Sequence, residues 1–335
     1  MKLFAGNASA NNSSIAIAGD ANAPVCITQN LNVTLTDAHV DRITDGLYRA
    51  GEASIARQLP SDQTARADSE KQIDGQIDAI RSYIGKKPSV ALDLLEKLYA
   101  STASTASGRI RFRIKANIGI CHHLLGNDEK AASYLCDAYL QAPEEPKAIA
   151  NNVLGLVLSG DVKAAFKFGT EQLKLYPENE TLAGYLVQCA GHLPEVEDPL
   201  ELVPPEQRKS SEVLTAYIYF LQKRGSDEKW WAVAWEGAEQ YKDDEALQYD
   251  AALATLDKSS RDPQLKRTNA LSAGQHERLI PAIAVLKERW QQCLSTDEKM
   301  RPDQAVVGHN LLSAYLQLRD FDSIRQFAAV ALANR

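Results

Sequence analysis

An all-α fold built from repeated helix pairs is what this sequence predicts, and three observations carry the prediction. Small residues recur thirty-four positions apart in mid-chain: Gly126 and Gly160, Ala131 and Ala165, Pro143 and Pro177. That is the period of a helix-turn-helix unit whose copies stack into a solenoid. From Ile73 nearly to the end, apolar residues fall at the three-to-four spacing of a helix face. Aromatic residues make up only 7% of the chain, which suits helices packed through Ala and Leu better than a β-sandwich.

Along the chain, residues 1 to 35 stand apart. They are rich in Asn, Ser and Ala, and segments 14–18 and 25–28 alternate like two short strands around the turn residues Gly19, Asp20 and Asn22. A β-like arm is expected there. Two strands alone are marginal in water, so the arm should pair with another chain, dock on the helices, or stay mobile. Thr36 and Asp37 then resemble a helix cap, with Val40, Ile43, Leu47 and Tyr48 at helical spacing as far as Arg57. The polar stretch 58–69 reads as a linker, so residues 36–69 form a helix plus linker. Ile73, Ile77, Ile80 and Ile84 make one apolar stripe stopped by Gly85, and Leu92, Leu94, Leu95 and Leu98 belong to the next helix.

The repeat is clearest over residues 112–179. Ile118, Gly119 and His122 share one helix, Gly126 closes the turn, and Ala131, Leu135 and Ala138 line the second helix before Pro143. The next unit keeps Gly160, Ala165 and Pro177, but has Asn152 and Val153 in place of Ile118 and Gly119, and Gly169 and Gln172 in place of Leu135 and Ala138. Residues 193–210 carry Pro194, Pro199, Pro204 and Pro205 among acidic residues, a composition no single helix accommodates, and read as a linker closing a first array of residues 70–192. A second array follows over 211–335: helices at 213–221 and 230–241 around Gly225, then 245–256, a polar loop at 257–273, then 279–293, and a final pair at 306–318 and 323–333. In that pair Tyr315, Ile324 and Ala331 repeat the offsets of His122, Ala131 and Ala138.

These small residues, with a proline ending the second helix, resemble the tetratricopeptide repeat. The resemblance covers two adjacent units and some of a third. It implies a superhelix of antiparallel helix pairs whose concave groove binds a peptide or helix of a protein partner. Placed by the repeat pattern, the groove residues would be Arg113, Asn117, His122, Asn151 and Asn152.

Composition narrows the alternatives. With 44% hydrophobic and 24% charged residues the chain has the make-up of a folded soluble protein, and no segment reaches the roughly 20 apolar residues of a membrane span. A net charge of −7 argues against a nucleic-acid partner and against anionic lipid, although an RNA-binding helical repeat stays as an alternative if a basic, aromatic-lined groove exists. Five cysteines at irregular spacing, and no signal-like start, point to a reducing cytoplasmic setting.

Chemical sites are weakly indicated. Gly85-Lys86-Lys87 lacks the hydroxyl and upstream glycine of a phosphate loop. Cys189 and His192 supply two metal ligands where a structural zinc site usually shows four, and Cys121, His122 and His123, adjacent on a helix, diverge by about 100° per residue. A Cys121 nucleophile would need a thiolate beside a base, whereas a repeat helix more often packs such a residue as a small hydrophobe. No metal, cofactor or catalytic group is therefore expected. Trp230, Trp231 and Trp235 cannot all face inward on one helix, and the expectation is two core tryptophans with Trp230 exposed or interfacial. The chain also closes on the apolar run 327–332, which invites self-association through the last helix, as the strand-like arm does at the other end. The function this supports is a non-catalytic scaffold or adaptor. A second reading, from the arm's likeness to short strand-forming segments in bacterial conflict and immune proteins, is a sensor or recruitment subunit whose effector is a separate chain.

Overall fold

The computed structural model describes residues 63–268, 270–295 and 301–333. The β-like arm of residues 1–35 and the helix expected at 36–57 lie outside them. The described residues form fourteen α-helices and one short 3-10 turn, with no strand among them. Within them, no helix is long and apolar enough to cross a membrane. The chain divides into two compact units between Ala165 and Phe166.

The first unit contains α1 (Gln63–Ile84), α2 (Pro88–Thr102), α3 (Gly108–Leu124), α4 (Asp128–Gln141) and α5 (Pro146–Leu158), and ends within α6 (Val162–Leu175). Helix α1 starts at Gln63, so residues 63–69 are helical where the polar composition predicts a linker. The stripe Ile77, Ile80 and Ile84 is buried as its spacing requires. Pro88 and Pro146 open α2 and α5, where a missing N–H costs nothing. Helix α3 is the centre of this unit. It packs against α1, α2, α4 and α5, and it buries Ile110, Ile114, Ile118 and Ile120. Gly119 permits the close approach of α4: a Cβ there would lie 2.8 Å from Leu135 Cγ.

The second unit holds the rest of α6, then α7 (Glu180–Ala190), α8 (Ser211–Lys223), α9 (Asp227–Gln240), α10 (Glu245–Ser260), α11 (Pro263–Thr268), α12 (Ala273–Ser295), α13 (Arg301–Leu318) and α14 (Phe321–Ala333). Across the proline-rich stretch α7 and α8 pack directly on each other. A Cβ on Gly184 would lie 3.1 Å from the Glu212 carbonyl oxygen. The stretch itself is folded. Leu193 and Val203 are buried, Asp198 caps the 3-10 turn Pro199–Leu202, and the Arg224 guanidinium donates to the carbonyls of Leu193 (2.6 Å) and Val196 (2.7 Å). Prolines that cannot continue a helix leave carbonyls without helical partners, and one arginine supplies the donors. Farther on, α10, α12 and α13 enclose Leu256, Leu279, Leu286, Trp290, Leu311 and Tyr315.

One turn recurs four times. Gly126, Gly160, Gly225 and Arg319 all adopt a left-handed conformation, with φ of 74°, 86°, 64° and 58°. The next residue donates its N–H to a carbonyl five positions back: Asn127 to His122 (2.8 Å), Asp161 to Leu156 (3.0 Å), Ser226 to Leu221 (3.0 Å) and Asp320 to Tyr315 (3.0 Å). The left-handed residue itself donates three positions back, completing a Schellman closure in each case. This register makes Asn117, Asn151 and Asn310 equivalent, each nine positions before the left-handed residue. The same count makes Ala131, Ala165, Trp230 and Ile324 equivalent.

Candidate functional site

The five residues assigned to a groove do not form an open surface. Arg113, Asn117, His122, Asn151 and Asn152 are all buried: the first three lie on α3, which α1, α2, α4 and α5 enclose, and the two asparagines 151 and 152 lie on α5, which packs against α4. Arg113 is committed to structure. Its guanidinium bridges Asp74 and Asp78, the latter at 2.6 Å, while Arg109 also reaches Asp74, so charge ties α1 to α3.

The other buried polar groups are less fully used. Asn117 donates from Nδ2 to the Arg113 carbonyl at 2.7 Å, while its Oδ1 has no partner. Its equivalent Asn151 is 1% exposed and its Oδ1 likewise has none. His122 stacks on Tyr134 with ring centroids 5.5 Å apart, and its Nδ1 is unpartnered. Burial, and then the charge of Lys130, hold the imidazole below its usual pKa, which favours the neutral ring. Unpaired buried polar atoms are uncommon in native proteins and call for an explanation. Asn310, an equivalent that the sequence pattern does not reveal, is only half-buried, and its Nδ2 donates to the Tyr249 hydroxyl at 3.3 Å. Its place nine residues before Arg319 is the signal, hidden because no glycine marks that turn.

Trp230 is not exposed. It occupies the interior position that Ala131 and Ala165 hold in other hairpins, and it meets Trp231 edge to face with centroids 6.4 Å apart. The least buried of the three is Trp235. Lys258 lies 4.7 Å from the Trp235 ring centre and 5.5 Å from that of Trp231, a cation held between two indoles. The indole N–H groups donate to Asp257 (Trp231, 3.0 Å) and Thr255 (Trp235, 3.1 Å).

The sulfur and imidazole groups are placed as follows. Burial, and then Glu96, push the Cys121 thiol up to about 12, so it keeps its proton at neutral pH. Burial does the same to Cys189, also to about 12. His192 Nε2 is 2.9 Å from the Tyr219 hydroxyl, and burial followed by Lys223 lowers its pKa. Among the described residues no group of three or more His, Cys, Asp or Glu could hold a metal ion. On α10, burial and then Asp244 raise Asp250 to about 8.

No known family model matches this chain, and no curated protein matches its sequence.

Proposed function

We propose that this chain is a non-catalytic interaction scaffold: a tetratricopeptide-like superhelix that takes a peptide or helix of a protein partner along its first helices. The observation that carries the reading is a repeated one. Successive hairpins share one turn geometry, and the same position of their first helices holds Asn117 and Asn151, each buried with an unused acceptor oxygen. Such oxygens cost stability in the free protein, about 1 kcal/mol or more each, and an extended peptide's N–H groups are suitable donors for them. Because both lie below the surface, binding includes a small opening of the first helices. The test pairs stability with binding. Asn117→Leu and Asn151→Leu should each raise stability by about 1 kcal/mol in denaturant unfolding, since a volume-matched apolar group replaces an unsatisfied one. The double variant should also lose the partner that the wild-type chain retains in affinity purification followed by mass spectrometry. Unchanged partner recovery with a more stable protein would overturn this reading.

A further inference from the structure

A proline divides α12. Pro281 lies inside the helix, so the N–H that would meet the Glu277 carbonyl is missing, and the pyrrolidine ring crowds that same carbonyl. The two sides of the proline are used differently. Beyond it Ala282, Ile283, Leu286 and Trp290 enter the core shared with α10 and α13, whereas of residues 273–280 only Leu279 is buried and six are exposed, Ile280 at 53%.

The start of the helix is fixed. Asp262, itself buried, accepts from the Ser272 N–H (2.9 Å) and hydroxyl (2.7 Å) through one oxygen and from the Gln264 N–H (2.8 Å) through the other. The Ser272 carbonyl in turn accepts the His276 N–H at 2.9 Å. Between that clamp and Pro281 the hold is slight. The Ser259 hydroxyl reaches Gln275 Oε1 at 3.4 Å, at the long limit of a hydrogen bond, and among the described residues no other side-chain bond ties 273–280 to its neighbours.

We propose that residues 273–280 are a strap that opens as a unit from the C-terminal turn of α10, giving way at Pro281 while Asp262 keeps the other end in place. With both ends retained, the opening is local and reverses without disturbing the core beyond the proline. It bares Leu279 and, on α10, Ser259 and Leu256, one turn apart and both buried when the strap is closed. The Gln317 amide lies there too: it donates to the Leu256 carbonyl at 3.4 Å, and its buried Oε1 has no partner. The open state therefore presents an apolar slot with one free acceptor, a pocket that the closed structure hides.

Native-state hydrogen exchange on the full chain reads the opening segment by segment. Amides of 276–280 should exchange about a hundredfold or more faster than those of 284–293, at rates insensitive to denaturant too dilute to unfold the protein, because a local opening exposes little surface. Pro281→Ala restores the missing N–H and should slow exchange at 276–280 by about tenfold or more. A chemical probe gives a second reading. Leu279 and Leu286, both 0% exposed, lie two turns apart on one stripe with the proline between them. With labelled sites mapped by mass spectrometry, Leu279→Cys should react with a thiol reagent about tenfold or more faster than Leu286→Cys, and adding Pro281→Ala should remove most of that lead. Equal exchange or equal labelling on the two sides of Pro281 would overturn the proposal. So would exchange at 276–280 that follows global unfolding, or rates that Pro281→Ala leaves unmoved.

Discussion

The α3–α4 and α8–α9 hairpins turn on the same left-handed glycine and fill the space behind it by opposite means. Between α3 and α4 the contact is made of small residues: Gly119 faces Leu135, with Ala131 and Ala138 fully buried beside it. The equivalent positions in α9 are Trp230, Ala234 and Gly237, and two further indoles continue the layer outward to Lys258. The polar atoms differ in the same way. Both partly buried indole N–H groups of α9 have acceptors, whereas the amide oxygens of Asn117 and Asn151 have no donors. The backbone closure thus leaves side-chain volume free to vary, and the aromatic hairpin is the one whose buried polar atoms are answered within the chain.

The comparison breaks most severely at Trp230. Trp230→Ala restores the residue found at 131 and 165, yet it should cost about 3–5 kcal/mol in denaturant unfolding, because the helices around it are spaced for an indole. A loss under about 1 kcal/mol would mean that α8 and α9 can close to the spacing of α3 and α4.

An intermediate effect concerns pH. Asp250, raised to about 8 when folded, is ordinarily near 3.9 in an unfolded chain, so the native state holds a proton that the unfolded state has lost. Its contribution is complete below about pH 4 and is lost as pH rises through about 8. Asp250→Asn should therefore match the wild type near pH 4 and exceed it by at least about 1 kcal/mol at pH 8. His122 acts in the reverse direction in the first unit. Its folded pKa is lowered, so its contribution is present above about 6.5 and is lost as pH falls. Parallel melting curves for wild type and Asp250→Asn from pH 4 to 8 would remove Asp250 from this account.

The smallest effects sharpen the shared turn. Gly126→Ala and Gly225→Ala, each at positive φ with open space around the glycine, should lose about 1 kcal/mol from backbone strain alone. Arg319→Gly should gain up to about 1 kcal/mol by relieving that strain, less the entropy of a more flexible unfolded chain. Thermal unfolding of the three variants, read for opposite signs, checks that one geometry serves both units.

How legible the sequence was follows the same physics. The turns at 126, 160 and 225 could be read because glycine takes positive φ without penalty, and apolar spacing located most helices. Arg319 hid the fourth turn, since an arginine carries no such signal. The start of α1 was hidden as well, because residues 63–69 are polar and show no apolar period. The prolines of 193–210 correctly excluded one long helix. They could not reveal that α7 and α8 close over them, which depends on Gly184 and Arg224 acting at a distance in sequence. For the candidate site, repeat position singled out five polar residues and gave no sign that all are buried, Arg113 paired with two aspartates and Asn117, His122 and Asn151 each with an unpartnered atom. Periodicity tells which helix face a side chain occupies, whereas burial depends on how many neighbours surround that helix.

The turn built on main-chain carbonyls has an evolutionary consequence. Its bonds run between backbone groups, so a hairpin can be duplicated, exchanged or deleted at this joint without inventing new side-chain contacts there. Arg319 takes the same turn without a glycine, at a strain of about 1 kcal/mol. Side chains on the surface of each hairpin can therefore differ freely, while the main chain keeps a common joint that side-chain identity need not mark.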